Sequence, residues 1–269
     1  MGRYPGRSPV GILQILVNHL TRMQPGYFCV AGVDVNTRRH IRPVLRHGRL
    51  TIDLLSTGGG PFDVGSVVDL GATAHAPRAP ELEDHRFDPS STRWLFDNDP
   101  DDYWDALDGV AHESLEEIFG SALELWDESG TVDVGEGRAS LGCLNPEKQP
   151  WLYVDHRGTV RMVLDYLIPS VDLSVNDLRL YERDGRTPRR DLVASVQRRL
   201  EAGVETILSV GLTRPWQKRG DTAERHWLQV NNIHLKDNPL WRLRDEGRTG
   251  RATEGPASDA AESPLRRRL

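Results

Sequence analysis

The sequence has few cysteines, few lysines and no long hydrophobic run. Its two cysteines, Cys29 and Cys143, lie outside any CxxC spacing or histidine and cysteine cluster, so the sequence indicates neither a disulfide framework nor a structural zinc site. We interpret both as buried thiols. No apolar run approaches the roughly 20 residues that span a bilayer, and residues 1–10 lack the apolar segment of a secretory signal. These absences predict a cytoplasmic protein.

The sequence motifs of common catalytic sites are missing as well. There is no GxxxxGKS/T, no GxGxxG opening a helix, no HExxH and no GxSxG. The run Gly58-Gly59-Gly60 lacks the lysine and hydroxyl residue of a phosphate-binding loop, and it predicts a turn. The sequence therefore predicts no catalytic residue, no cofactor and no metal site.

The charges are present but unevenly distributed. Arginine outnumbers lysine by 31 to 3, a bias that either guanidinium chemistry or GC-rich coding DNA explains. The separation of signs along the chain is more informative. Residues 1–50 carry eight arginines and one acid, a net +7, whereas residues 51–137 carry three arginines and 21 acids, a net −18. We expect a basic sheet surface near the N-terminus, followed by an acidic segment whose carboxylates face solvent.

The N-terminal part alternates apolar and polar residues with the period of β-strands. Glycine, proline and asparagine separate the runs, and Asn36-Thr37 predicts a hairpin turn. Five short strands in about 60 residues are typical of a small Greek-key barrel such as an OB-fold. The first predicted strand begins at Leu13, alternates through Ile15 and Val17, and ends at the polar residues 19–22; the others cover residues 27–35, 41–44, 49–55 and 66–71. A first OB-like barrel is thus predicted over residues 11–80, after a flexible arm over residues 1–10.

The rest of the chain changes character twice. Residues 81–137 are predicted to form an acidic helical insertion, with helices over 101–107 and 114–119. β-strand patterns return in residues 138–243, where a second OB-like barrel with one helix, over residues 190–202, is predicted. Residues 244–269 predict a disordered tail. The predicted strands of the second barrel cover residues 141–144, 151–154, 160–166, 177–180, 206–212 and 227–233. The predicted fold class is mainly β (α+β), with two OB-like small β-barrels separated by the insertion.

Several short motifs follow one another along the chain in a characteristic order. They are Thr21-Arg22, CVAGVD at 29–34, Ile41-Arg42-Pro43, Leu141-Gly142, Asp177-Leu178-Arg179, VGLTRP at 210–215 and WLQV at 227–230. This order resembles the dual OB-containing domain (DuOB) family of prokaryotic proteins, over residues 13–233. The resemblance implies two OB-like barrels and a nucleic-acid-binding role. Where the family commonly has an aromatic residue before Ile-Arg-Pro, this chain has Arg39-His40, so no stacking role is expected there.

OB barrels bind single strands through a cationic groove and aromatic platforms. The sequence offers both, and it repeats Leu-Thr-Arg at 20–22 and 212–214, where a hydroxyl adjoins a guanidinium as a pair that can contact phosphate. We predict binding of RNA or single-stranded DNA, with Arg22, Arg42 and Arg214 on phosphates and Trp216 stacking. The candidate residues are Thr21, Arg22, Arg42, Arg46, Arg179, Thr213, Arg214, Trp216 and Lys218.

Two other functions are open at this point. The acidic insertion could dock a basic protein, which would make the chain an interaction adaptor, or it could cover the basic sheet until a nucleic acid displaces it. Alternatively, His19, Asp34 and His40 could form the acid and base groups or the metal site of a hydrolase or nuclease. Asp34 more simply caps the hairpin bend or pairs with Arg42. The direction in which these side chains point in the fold distinguishes the three functions.

Overall fold

Strands supply most of the regular structure in residues 13–126 and 129–244, the residues that the computed structural model describes. The fold class is therefore mainly β, as predicted. The arm predicted over residues 1–10, and all of the tail predicted over residues 244–269 except Arg244, lie outside the described residues. None of the described helices is long and apolar enough to cross a membrane.

The first half of the chain builds an eight-stranded sheet. Its strand order is β6-β7-β3-β2-β1-β5-β8, with β4 also paired to β2. The central strand β1 is buried along almost its whole length, because it pairs with β2 and β5 and packs against the second half of the chain. The strands are β1 (Gln14–Arg22), β2 (Tyr27–Asp34), β3 (His40–Val44), β4 (Leu50–Thr51), β5 (Ser66–Asp69), β6 (Ala74–His75), β7 (Asp84–Arg86) and β8 (Arg93–Asp97).

The second half contains a six-stranded and a three-stranded sheet. The larger one has the order β10-β11-β17-β16-β12-β9, and the smaller one the order β13-β14-β15. One helix, α3 (Arg190–Glu201), buries Val193, Val196 and Leu200, which share one face at helical spacing. The strands are β9 (Ala111–His112), β10 (Glu124–Trp126), β11 (Ser129–Asp133), β12 (Leu141–Leu144), β13 (Trp151–Val154), β14 (Val160–Leu164), β15 (Val171–Ser174), β16 (Thr206–Leu212) and β17 (Arg225–Leu235).

The acidic segment divides between the two halves, so the predicted helical insertion is not confirmed. It contains two helices, α1 (Pro100–Asp108) and α2 (Leu115–Phe119), which begin after the capping side chains of Asp99 and Ser114. Helix α1 packs into the first core through Tyr103, Trp104 and Leu107, and α2 packs into the second. Strands β7 and β8 belong to the first sheet, and β9 to β11 to the second. The acidic side chains of α1 are exposed, as expected.

Two segments that were predicted to be strands have a different conformation over most of their length. Residues 177–180 contain a short 3₁₀ helix, Leu178–Leu180, because the Asp177 carboxylate accepts the backbone N–H of Arg179 and also binds its side chain. Residues 49–55 form only the short strand β4 before a 3₁₀ helix, Ile52–Leu54. The strand over residues 171–174 was missed.

Candidate functional site

The structure brings two of the predicted phosphate-binding arginines together on one carboxylate. Arg42 Nε lies 2.6 Å from Asp84 Oδ1, and Arg214 Nη2 lies 2.8 Å from Asp84 Oδ2. Arg214 Nη1 also lies 2.7 Å from Glu81 Oε2. Arg42, Asp84 and Glu81 are buried, so the Arg42–Asp84 pair is shielded from solvent, whereas the Arg214 side chain is 47% exposed and its pairs lie at the surface. Two acids of the segment 81–137 therefore neutralise the cationic pair.

Arg179 is the centre of a second buried ion pair, and the prediction that it contacts phosphate is wrong. Its side chain is 0% exposed, as is that of Asp177, and the pair is bidentate with distances of 2.9 and 2.6 Å. Arg179 Nη2 also donates to the carbonyl of Ile233, and the guanidinium lies 3.8 Å from the ring centroid of Trp241. The buried guanidinium thus has its hydrogen-bond partners inside the protein.

The other predicted cationic residues of the first half lie apart. Arg22 is half-buried, with its guanidinium 4.1 Å from the ring centroid of Tyr181. Thr21 is buried and bridges to Asp177, whereas Arg46 is exposed on the loop after β3. Arg22 and Arg46 share no partner with Arg42 in the described residues, and the common concave surface expected from the sequence stays a prediction.

A cluster of three tryptophans lies at the edge of the six-stranded sheet; we call it the tryptophan cluster. It consists of Trp126 on β10, Trp227 on β17 and Trp216 on the loop before β17. The ring of Trp227 is stacked on that of Trp126 at a centroid distance of 6.4 Å and lies 5.7 Å from that of Trp216. Trp126 and Trp216 are 41% and 45% exposed, while Trp227 is buried. An aromatic surface backed by a buried ring thus faces solvent.

Local hydrogen bonds hold the tryptophan cluster in place. Trp227 Nε1 donates to the carbonyl of Trp216 at 3.1 Å, and Trp126 Nε1 donates to Thr131 Oγ1 at 3.2 Å. The predicted residue Thr213 accepts the backbone N–H of Trp227 on Oγ1 at 3.0 Å. It therefore helps to fix the loop that carries Trp216, and its contact with phosphate stays a prediction.

Two cations accompany these rings. Lys218 Nζ lies 4.8 Å from the Trp227 ring centroid, and the Arg225 guanidinium lies 5.5 Å from that of Trp126. Arg225 also lies within 3.7 Å of Glu124 and 3.5 Å of Asp133, both exposed. Since exposed ion pairs contribute little, Arg225 can exchange these partners at small cost. The sequence pointed to Trp216 and Lys218, but Trp126 and Arg225 were missed because only sheet pairing brings them near.

The predicted cluster of His19, Asp34 and His40 forms only in part. Asp34 Oδ1 accepts the backbone N–H groups of Asn36 and Thr37, so this carboxylate caps the hairpin bend. The rings of His19 and His40 lie 5.3 Å apart. The third member of their cluster is Cys143 on β12, and the nitrogen and sulfur atoms of the three lie within 4.8 Å of one another. Nitrogen and sulfur atoms so placed are those that hold a transition metal.

His40 lines a cleft of about 900 Å³ between the two halves of the chain. The walls also carry Arg38, Arg39, His112 and Arg138. The buried carboxylate of Glu83 closes one side, where it accepts the backbone N–H and the hydroxyl of Ser140 at 2.8 and 2.9 Å. Burial, opposed in part by the Ser140 hydrogen bonds, raises the pKa of Glu83. Among the charged side chains that line the cleft, the three arginines Arg38, Arg39 and Arg138 outnumber the acids Asp34 and Glu83, which suits an anionic ligand.

These features define a mainly β protein with a basic cleft between its halves and an exposed aromatic surface at one sheet edge. The family model described as the dual OB-containing domain matches residues 14–233, and the chain belongs to this family. The comparisons with curated proteins and with solved structures gave no match.

Proposed function

We propose that the protein binds single-stranded nucleic acid, RNA or DNA, and that the tryptophan cluster is its interface. The observation that carries the proposal is the pair of exposed rings, Trp126 and Trp216, on either side of the buried Trp227, with Lys218 and Arg225 beside them. We also propose that each half of the chain is one OB-like barrel. Family membership supports both statements, because OB-folds bind oligonucleotides.

Stacking gives this surface a physical reason to be exposed. A tryptophan ring in water loses the favourable free energy of apolar burial, and a base stacked on it restores contact over its exposed face. Each stacked base contributes about 1–3 kcal/mol and every base has a π-face, so such binding tolerates many sequences. Lys218 and Arg225 place positive charge where the strand's phosphates would follow the stacked bases.

The proposal does not depend on Arg42 and Arg214. Their buried partner Asp84 binds both guanidinium groups, and a phosphate would have to displace a carboxylate that is already desolvated. The acidic cover considered from the sequence therefore corresponds here to a structural ion-pair cluster.

The adaptor alternative, in which the acidic segment docks a basic protein, has the exposed acids of α1 but gains no exposed apolar surface from α2. The apolar residues of α2, Leu115, Ile118 and Phe119, are buried in the second core and present no docking stripe.

Fluorescence anisotropy with short labelled single strands of RNA and of DNA tests the proposal. Trp216→Ala should weaken binding by about 5-fold to 150-fold, the equivalent of one lost stacked base. The matched control is Trp151→Ala, which removes a ring that is 54% exposed on β13, outside the cluster. Unchanged affinity in Trp216→Ala and in Trp126→Ala, or an equal loss in Trp151→Ala, would overturn the proposal.

A further inference from the structure

We propose that His19, His40 and Cys143 bind a transition metal ion of borderline softness, with zinc as the natural candidate, at the floor of the cleft between the two halves. The three side chains come from β1, β3 and β12, and their ligand atoms lie within 4.8 Å of one another. His40 Nε2 lies 3.7 Å from Cys143 Sγ. Zinc binds nitrogen at about 2.0–2.1 Å and thiolate at about 2.3 Å, so a tetrahedral site separates ligands by roughly 3.5 Å. The ligand atoms would therefore have to move closer together by only about 1 Å to bind zinc.

An unsatisfied nitrogen points to a missing partner. His19 is 1% exposed, its Nδ1 lies 3.1 Å from Asn231 Nδ2, and its Nε2 has no hydrogen-bond partner. Leaving such a buried polar atom unpaired is costly. A metal on Nε2 would remove this cost.

The surrounding amides can select the imidazole tautomer that binds metal. Asn176, Gln229 and Asn231 form a chain of hydrogen bonds at 2.6 and 2.7 Å that ends on His19 Nδ1. Reversing the three amides together preserves every hydrogen bond and makes Asn231 Oδ1 accept a hydrogen bond from His19 Nδ1–H. Nε2 then presents its lone pair, in the arrangement by which metal-binding histidines are usually oriented.

The sulfur of Cys143 accepts a hydrogen bond from a neighbouring amide. Asn18 Nδ2 donates to Cys143 Sγ at 3.2 Å, whereas the hydroxyl of Ser209, 4.0 Å from the same sulfur, donates to the Asn18 carbonyl at 3.0 Å. The amide hydrogen bond to sulfur favours the thiolate that a metal requires. Burial raises the pKa of the Cys143 thiol to about 12, so metal binding must release a proton there.

Two β-bulges build this arrangement. The register of β1 against β2 shifts between Val17 and His19, which leaves Asn18 as the extra residue. The register of β16 against β17 shifts between Ser209 and Val210, where Asn231 is the extra residue. Bulges redirect side chains, and each of these places an asparagine beside a proposed ligand.

The charge state of the histidines suits coordination. Burial, and then the neighbouring His112, lower the pKa of His40 to about 4. Burial, followed by His40, His234 and Arg42, lowers the pKa of His19 well below its usual value. Imidazole binds metal in its neutral form, and both shifts are in the direction that favours this form.

Three protein ligands leave one coordination position open. His40 lines the cleft, as do Leu141 and Gly142 next to Cys143, while His19 and Cys143 are themselves buried, so a fourth ligand would enter on the His40 side, from the cleft that carries Arg38 and Arg39. A site with three protein ligands and an exchangeable fourth is the form that zinc takes where it binds water or substrate. The fourth ligand is inferred to be water or a small anion.

Cobalt titration of the metal-free full-length protein tests the site. We expect one equivalent of Co²⁺ to bind and to produce a thiolate-to-cobalt charge-transfer absorption, and Zn²⁺ to displace it. Cys143→Ser should abolish the charge-transfer band and weaken Zn²⁺ binding, measured against a competing indicator, at least about 100-fold. Zn²⁺ should also raise the melting temperature of the wild type but not of this variant.

Two matched variants show whether the metal binds at these three residues and nowhere else. Cys29→Ser removes the other thiol, and His85→Gln breaks the stacked pair of His75 and His85, whose centroids lie 4.7 Å apart. Both should bind like the wild type. Binding lost in His85→Gln, or a wild-type cobalt spectrum without thiolate absorption, would overturn the proposal. The wild-type spectrum decides the question even if Cys143→Ser does not fold.

Discussion

Arg42 and Arg214, which lie in opposite halves of the chain, bind different oxygens of the same buried carboxylate, Asp84. The sequence marks both arginines as cationic ligands for phosphate, but in the fold they already have an anionic partner. The cluster joins β3, β7 and the loop after β16, so it fixes the relative position of the halves. Its first role is structural.

Replacing Asp84 by asparagine should destabilise the protein by about 3–5 kcal/mol, because the buried Arg42 guanidinium would lose its counter-charge. The free energy of unfolding from urea titration measures this. The matched control is Glu205→Gln, which breaks the exposed ion pair with Lys236 and should cost about 0–1 kcal/mol. Equal effects of the two substitutions would contradict a buried structural role for Asp84.

Arg179→Met should also destabilise by about 3–5 kcal/mol, because Asp177 would be left charged and unpaired in the core. The exposed Arg186→Met serves as control and should change stability by less than about 0.5 kcal/mol. Single-strand affinity, corrected for the folded fraction, should be the same in both variants as in the wild type. A loss of affinity in folded Arg179→Met would restore the phosphate-contact role predicted from the sequence.

The protein should become less stable as the pH is lowered, because His234 is buried in its neutral form. Burial, and then Arg179, lower the pKa of His234 well below its usual 6.5 in the folded state. Below about pH 6.5 the imidazole binds a proton in the unfolded chain but not in the folded chain. The contribution of His234 to stability is therefore present above this pH and is lost as the pH falls.

One histidine changes the free energy of unfolding by up to about 1.4 kcal/mol per pH unit. Urea titrations of the chelator-treated protein between pH 7 and pH 5 should show a smaller slope in His234→Gln than in the wild type. His156→Gln, at an exposed position, should keep the wild-type slope. An unchanged slope in His234→Gln would show that this ring is not buried in its neutral form.

Lys218→Gln should reduce the salt dependence of single-strand binding. Each phosphate neutralised on a single strand contributes about 0.7 to the slope of log K against log salt, so the slope should fall by roughly this amount. Anisotropy titrations at several salt concentrations give the slope. Lys236→Gln, whose ammonium pairs with Glu205, should leave it unchanged. The same slope in Lys218→Gln would remove Lys218 from the interface.

The sequence predicted the local elements well because their signals are local. The strands Leu141–Leu144, Trp151–Val154 and Thr206–Leu212 have the predicted bounds, and α3 differs by one residue. The strand predicted over 177–180 failed because a single side chain, Asp177, sets the backbone there. Apolar patterning carries no information on such a contact.

The site was predictable only where its residues are close in sequence. Trp216 and Lys218 share one polar loop, and both lie in the tryptophan cluster. The contact of His40 with Cys143 and that of Arg214 with Asp84 depend on how the two halves pack, which no spacing reveals. The family resemblance supplied the overall class, and the family-model match over residues 14–233 confirms it.

Ultraviolet crosslinking of a short single strand to the full-length protein, with mass-spectrometric mapping of the adducts, tests the proposed interface most directly. Adducts are predicted on the peptides that carry Trp126 and Trp216, and an excess of unlabelled strand should remove them. Adducts confined to peptides outside the tryptophan cluster, or none at concentrations that saturate binding, would contradict the proposed interface.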